Sequence, residues 1–169
     1  MKITLVGYMG SGKSRFAEEL AGHYQLRHFD LDEEIEKETG YTIAETFFNK
    51  GELYFRKLER AKLQALLKFE DAVIATGGGT PCYYDNMQLI NKASLSVYLQ
   101  ASVNTLYERL KNQRAERPLL AHLADEKLKE FIAKHLFERA AFYEQATVIL
   151  PETAQSAEAR LKQLNEYLG

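Results

Sequence analysis

The chain has 169 residues, 46% of them apolar and 27% charged, with a formal net charge of −2. That is enough apolar chain for a single domain over residues 1–169 with its own core, and without a long basic run the surface is not one for nucleic acid. No stretch reaches the roughly 20 apolar residues of a membrane span, the first residues read as a strand rather than a cleavable leader, and the lone Cys82 can form no internal disulfide, so a cytoplasmic protein with no membrane partner is expected.

Taken in chain order, a short strand over Lys2–Val6 runs into Gly7-Tyr8-Met9-Gly10-Ser11-Gly12-Lys13-Ser14, a complete G-x-x-x-x-G-K-[ST] phosphate-binding loop. Its glycines let the backbone curl so that successive N–H groups face one anion, and the following helix aims its positive end at the same place. That helix is legible in Phe16, Ala17, Leu20, Ala21 and Tyr24, which recur at helical spacing. Lys13 is placed to reach terminal phosphates and Ser14 to hold Mg²⁺. A second strand, Arg27–Asp30, ends in Asp30-Leu31-Asp32 before a helix from Glu33 to Thr39. One of these aspartates can serve as an N-cap. The other is then free for a magnesium ion beside a nucleotide, or for a substrate hydroxyl as positioning group or base.

Gly51-Glu52-Leu53-Tyr54-Phe55-Arg56-Lys57-Leu58-Glu59 opens a long helix reaching about Phe69. Arg56 and Glu59, at i and i+3, face the same way, and by itself this could be an exposed ion pair worth only ~0.2–0.5 kcal/mol. A third strand, Ala72–Thr76, runs into Gly77-Gly78-Gly79. Cys82 follows Pro81, but no base pairs with it to make a catalytic thiol. Leu95–Leu99 is a fourth strand. Between Arg109 and Ala124 the chain is polar and basic and then turns abruptly to Arg117-Pro118-Leu119-Leu120. That is the pattern of a flap that excludes water and neutralises a transferring phosphate, with an ordinary solvated loop as the plainer alternative. The helix from about Asp125 to Glu144 carries the stripe Leu128, Phe131, Ile132, His135 and Phe142, with Arg139 on the same face. An inward arginine needs an anion, either a protein carboxylate such as Glu138 or Glu144 or a carboxylate or phosphate on a ligand. Thr147–Leu150 is the last strand. His23, His28, His122 and His135 show no metal-ligand spacing.

Strands alternating with helices give an α/β fold with a parallel sheet, whose ligands bind outside the carboxyl ends of the strands. The phosphate loop, the Asp30–Asp32 pair and the three glycines each follow a strand end.

In that order, together with Gly-Glu-x-x-Phe-Arg, Arg-Pro-Leu-Leu and Glu-Arg-x-x-x-Tyr, these motifs resemble shikimate kinase over essentially the whole chain. The resemblance implies a P-loop domain of the nucleoside-monophosphate-kinase type, a three-layer sandwich with a five-stranded parallel sheet in the order 2-3-1-4-5. It implies transfer of the γ-phosphoryl group of ATP to the 3-hydroxyl of shikimate, in chorismate and aromatic amino-acid biosynthesis, by a monomer using Mg²⁺. Carried over by position, Gly10, Ser11, Gly12, Lys13, Ser14, Arg15, Arg109 and Arg117 contact ATP, with Arg109 stacking on adenine. Ser14 and Asp30 sit on the metal side. Asp32, Arg56, Gly78, Gly79 and Arg139 bind shikimate, the two arginines clamping its carboxylate and the glycines approaching it closely. Lys13, Asp32 and Arg117 are the catalytic set, residues 31–60 the substrate-binding segment and residues 111–124 the lid. Arg15 and Ala141 depart from a threonine and a proline common in the family, and neither removes a reacting group. A kinase for another small hydroxy acid such as gluconate would share the loop and lid without needing Arg56, Arg139 and the triple glycine together. A nucleotide-binding regulatory domain that had lost activity would have lost its substrate groups first.

Overall fold

A computed structural model describes residues 1–117, 119–152 and 156–169. Five strands, β1 (Lys2–Val6), β2 (Arg27–Asp30), β3 (Ala72–Ala75), β4 (Leu95–Leu99) and β5 (Val148–Leu150), form one sheet in the order β2-β3-β1-β4-β5. Every pairing is parallel, with Lys2 opposite Ala72, Arg27 opposite Ala72, Ile3 opposite Leu95 and Val97 opposite Val148. The helices are α1 (Lys13–Tyr24), α2 (Leu31–Thr39), α3 (Ile43–Lys50), α4 (Glu52–Leu66), α5 (Asn86–Ala93), α6 (Val103–Leu110), α7 (Asp125–Tyr143) and α8 (Ala157–Leu168).

The inner strands β3, β1 and β4 are buried on both faces because both are covered. Side chains alternate across a strand, so Ile3 and Leu5 of β1, Val73 of β3 and Val97 of β4 face α1 and α8, packing on Phe16, Leu20 and Leu164. Val6, Ile74 and Tyr98 point the other way, onto Leu31, Leu63, Leu106, Leu128 and Ile132 from α2, α4, α6 and α7. Each fully buried leucine or isoleucine contributes on the order of 1.5–3 kcal/mol, so these two apolar layers hold the sheet as a rigid base for the loops at its carboxyl edge.

Element ends differ from the sequence reading by one to three residues, α4 stopping at Leu66 rather than about Phe69. Helix α2 starts at Leu31 rather than Glu33 because Asp30 caps it, accepting from the N–H groups of Asp32 at 3.1 Å and Glu33 at 3.3 Å. Strand β3 stops at Ala75, one residue short of Thr76, and β5 begins at Val148 because the Thr147 N–H turns to the Ser96 hydroxyl at 2.8 Å. On α7 the buried aromatic is Tyr143, not Phe142: the inward stripe advances by four from Arg139. No helix among the described residues is long and apolar enough to cross a membrane.

Candidate active site

Two cavities open side by side at the carboxyl edge of the sheet, one of about 680 Å³ and one of about 320 Å³. The larger is lined by Gly10, Gly12, Lys13, Ser14, Arg15, Arg109 and Arg117. The smaller is lined by Phe47, Phe55, Arg56, Glu59, Gly79 and Arg139. Met9, Asp32, Gly77, Gly78 and Arg117 border both, so these residues form the wall between them.

The larger cavity is built for an anion. Gly12, at φ +93°, turns the chain into α1 with no side chain capping the helix, which leaves its first N–H groups for a ligand. The Ser11 hydroxyl is buried in the loop without a hydrogen-bond partner. Lys13, 8% exposed, donates to its own loop at the carbonyls of Gly7 (2.8 Å) and Tyr8 (3.0 Å). Burial brings its ammonium down to about 8, against the opposing pull of Asp32, and a phosphate beside it would further favour its charged form. The Ser14 hydroxyl donates to Asp30 Oδ2 at 2.6 Å while Asp30 Oδ1 holds the cap of α2. One aspartate thus does two jobs with its two oxygens, and Asp32 is left free to face the cavities. At the far end Arg109 donates to the Gly10 carbonyl at 3.0 Å and lies 3.6 Å from Glu152. Arg15 is solvent-exposed and pairs with Glu19 at 3.1 Å.

The three glycines after β3 make room for three different side chains. A Cβ on Gly77 would stand 3.0 Å from Asp32 Oδ1; one on Gly78 would stand 3.1 Å from the Met9 nitrogen and 3.4 Å from Arg139 Nη1; and one on Gly79 would stand 2.6 Å from Arg56 Nη2. The sequence reading assigned Gly78 and Gly79 to close approach by a substrate. Both line the smaller cavity, and the space they leave also accommodates guanidinium groups of the chain itself, Arg139 beside Gly78 and Arg56 against Gly79.

Those arginines differ. Arg56 donates to Glu59 at 2.9 Å, and Glu59, 1% exposed, also accepts from the Thr80 hydroxyl at 2.7 Å. Tyr83 stacks on the Arg56 guanidinium at 4.0 Å and donates to Glu52, which lies 3.5 Å from Arg56 Nε. The pair that spacing left open as a surface contact is therefore a buried one. Arg139, 8% exposed, has no carboxylate within 4 Å among the described residues, and Glu138 and Glu144 both point to solvent. Asp32 is pushed up to about 7, mainly by burial and then by the charges of Asp30 and Glu59. Arg117 is half-buried with its Nε unpartnered, and its Nη2 reaches Gln113 at 3.3 Å. The segment around it is pinned by the fully buried Leu120 and by Arg114, which pairs with Asp125. Pro118 lies outside the described residues.

Every site residue named from the sequence except Ser11 lines its assigned cavity, Asp30 included; Ser11 is buried within the loop between the lining residues Gly10 and Gly12. Sequence reasoning missed Thr80, Tyr83 and the bond between Tyr8 and His135, whose partners are far apart in the chain. Cys82 is no nucleophile, since burial pushes its thiol up to about 11.

The family model for shikimate kinase matches residues 9–168. A shikimate kinase of Flavobacterium johnsoniae is 49% identical over 147 residues, covering 86% of this chain and 86% of that protein. The crystal structure of shikimate kinase from Bacteroides thetaiotaomicron superposes with a TM-score of 0.92 at 38% identity, covering 99% of this chain and 98% of that one. Shikimate kinase from Acinetobacter baumannii in complex with shikimate gives a TM-score of 0.87 at 33% identity, covering 99% of this chain and 91% of that one. The chain belongs to the shikimate kinase family.

Proposed function

We propose that this chain transfers the γ-phosphoryl group of ATP to the 3-hydroxyl of shikimate, giving ADP and shikimate 3-phosphate. The observation that carries the reading is a buried arginine without a carboxylate partner, Arg139, in a small cavity that shares the Asp32–Arg117 wall with a phosphate-loop cavity. A carboxylate on the acceptor supplies the missing anion, and Arg56 adds the second arm of the clamp. The acceptor hydroxyl then lies against the shared wall, opposite the terminal phosphate.

The transfer forms a bond from the hydroxyl oxygen to phosphorus and breaks the bond from phosphorus to the bridging oxygen of ADP. Lys13 and Arg117 offset charge on the γ-phosphoryl oxygens, and the loop N–H groups hold the rest of the polyphosphate. Asp32 orients the hydroxyl and takes its proton. A carboxyl poised near 7 in the empty site suits that task, because its affinity for a proton is close to that of the medium. Ser14 and Asp30, oxygen donors 2.6 Å apart, fit Mg²⁺. Bound there with the nucleotide, the ion supplies further charge neutralisation at the phosphates.

An ADP-release assay with shikimate, gluconate and nucleoside monophosphates tests the reading. Turnover with shikimate alone is expected. A preference for gluconate would replace shikimate with another hydroxy acid, and turnover only with a nucleoside monophosphate would overturn the carboxylate clamp.

A further inference from the structure

Helix α7 meets the two glycine loops along one stripe. His135, Arg139 and Tyr143 are spaced by four, so they stand one above another on a single face. At the C-terminal end the Tyr143 hydroxyl donates to the Gly78 carbonyl at 2.5 Å, and one turn back Arg139 Nη1 lies against Gly78. At the N-terminal end the Tyr8 hydroxyl and His135 Nδ1 are 2.9 Å apart, with the two rings edge to face and 5.4 Å between centroids. Tyr8 is the second residue of the phosphate loop and is 1% exposed; its carbonyl is one of the two that accept from Lys13. The transfer chemistry itself uses neither the Tyr8 hydroxyl nor the imidazole.

We infer that Tyr8 and His135 are positioning residues whose hydrogen bond fixes the Arg139 turn of α7 against the phosphate loop, holding the guanidinium where it can take the substrate carboxylate. This rests on Arg139 taking the substrate carboxylate.

Burial, with help from the Arg139 charge, brings the His135 imidazole down to about 4, and burial pushes the Tyr8 phenol up to about 12. Both groups are neutral near pH 7, and in the tautomer with the proton on Nε2 the Tyr8 hydroxyl donates to Nδ1. An imidazolium would lose the acceptor and set a second positive charge one turn from Arg139. Packing alone would be served as well by phenylalanine at position 8, since the buried Tyr8 ring already sits edge-on to His135. A buried hydroxyl aimed at a neutral acceptor adds direction, which is what holding one turn of helix in register requires.

Steady-state kinetics of the whole enzyme test this. Tyr8→Phe and His135→Leu should each raise KM for shikimate about two- to ten-fold, the loss expected for one neutral hydrogen bond. The kcat and the KM for ATP should stay within roughly two-fold, because uniform binding of one substrate is all that is lost. The double variant should be no worse than either single one, and His135→Asn, whose amide oxygen can replace Nδ1, should recover most of the loss. In an Arg139→Ala background, Tyr8→Phe should cost shikimate binding nothing further, because the bond acts through that arginine. Lower melting temperatures with an unchanged KM for shikimate, or penalties that persist in the Arg139→Ala background, would make the pair structural and overturn the inference. A wild-type enzyme inert toward shikimate would instead remove the proposed function and this inference with it.

Discussion

Arg56 and Arg139 face the same small cavity and are almost equally buried, at 7% and 8% exposure, yet their electrostatic situations are opposite. Arg56 has its counter-charges within the chain: Glu59 accepts from one nitrogen, Glu52 lies 3.5 Å from Nε, which makes no hydrogen bond, a tyrosine ring covers its plane and Gly79 lies beneath. Arg139 has Gly78 beside it and no carboxylate within 4 Å among the described residues. Burying a guanidinium costs several kcal/mol unless a counter-charge offsets it. The Arg56 corner meets that cost within the chain and is held in place with or without substrate. The Arg139 corner leaves it to a ligand, so Arg139 is where a carboxylate gains most. A clamp with one fixed jaw and one uncompensated jaw is preorganised yet still selective for an anion.

The largest effect should come from breaking the Arg56 corner. Arg56→Ala leaves Glu59 buried without its partner, and removing one member of such a pair costs about 3–5 kcal/mol of stability. Thermal melts of the free protein should show it, with Arg56→Ala/Glu59→Gln recovering a substantial part. A melting temperature equal to wild type would mean that Glu59 is satisfied by Thr80 alone and that the two corners do not differ in kind.

Next in size is Arg117→Ala, which touches neither corner. Removing one preorganised donor from the transferring group costs about 2.7–4 kcal/mol in kcat, or a hundred- to thousand-fold. Stability should change little, because the only side-chain hydrogen bond of Arg117 among the described residues is the 3.3 Å contact with Gln113. A large drop in melting temperature with modest loss of kcat would return Arg117 to a structural role.

Arg139→Ala should cost about 1.5–3 kcal/mol, and almost all of it in shikimate binding. The free protein should melt no lower than wild type, since an uncompensated charge has been removed. Arg139→Lys should recover only part of the affinity, because an ammonium lacks the planar fork. Titration calorimetry with shikimate and with a nonhydrolysable ATP analogue separates the two substrates. Weaker ATP binding with intact shikimate binding would place Arg139 on the wrong side of the shared wall.

How far these differences can be read from the chain depends on how local their causes are. The phosphate loop is contiguous, and short strand-length runs between helical patterns, with Gly7 after β1 and Asp30 closing β2, make β1, β2 and β4 legible to the residue. That Arg139 faces inward also follows from helical spacing. The contrast between the arginines does not. An i,i+3 Arg–Glu pair has the same spacing in solvent as in a core, and what buries Glu59 is Thr80, twenty-one residues later on another loop. The Tyr8–His135 bond joins residues 127 apart. The first sets α4 against the loop after β3 and the second sets α7 against the loop after β1, tertiary facts that leave no local signature. Among the residues read as site residues, Asp32 is in the same position: spacing marks it as functional, but its proton affinity depends on how deeply the fold buries it.

That burial yields the smallest and most specific prediction. Asp32 is held at about 7 against an ordinary 3.8, so the fold favours its neutral form. A carboxyl raised in this way weakens the folded state as it ionises. Its cost is absent below about pH 4, grows as pH climbs toward 7 and is complete above that. Asp32→Asn removes the cost, so the ligand-free variant should be more stable than wild type at pH 8, by on the order of 1 kcal/mol, and the gain should shrink on going to pH 5. The gain is kept small by Lys13, which loses the neighbour that was supporting its charge and drops further below about 8. Activity should move the other way: kcat falls sharply in the variant, and in wild type kcat/KM for shikimate falls as pH drops through 7, because the proton acceptor fills. Paired melts at pH 5 and pH 8 with a pH profile of kcat/KM read both sides. A variant less stable than wild type at pH 8 would show that Asp32 is compensated in the empty site, and a wild-type profile flat through pH 7 would show that the hydroxyl proton goes elsewhere.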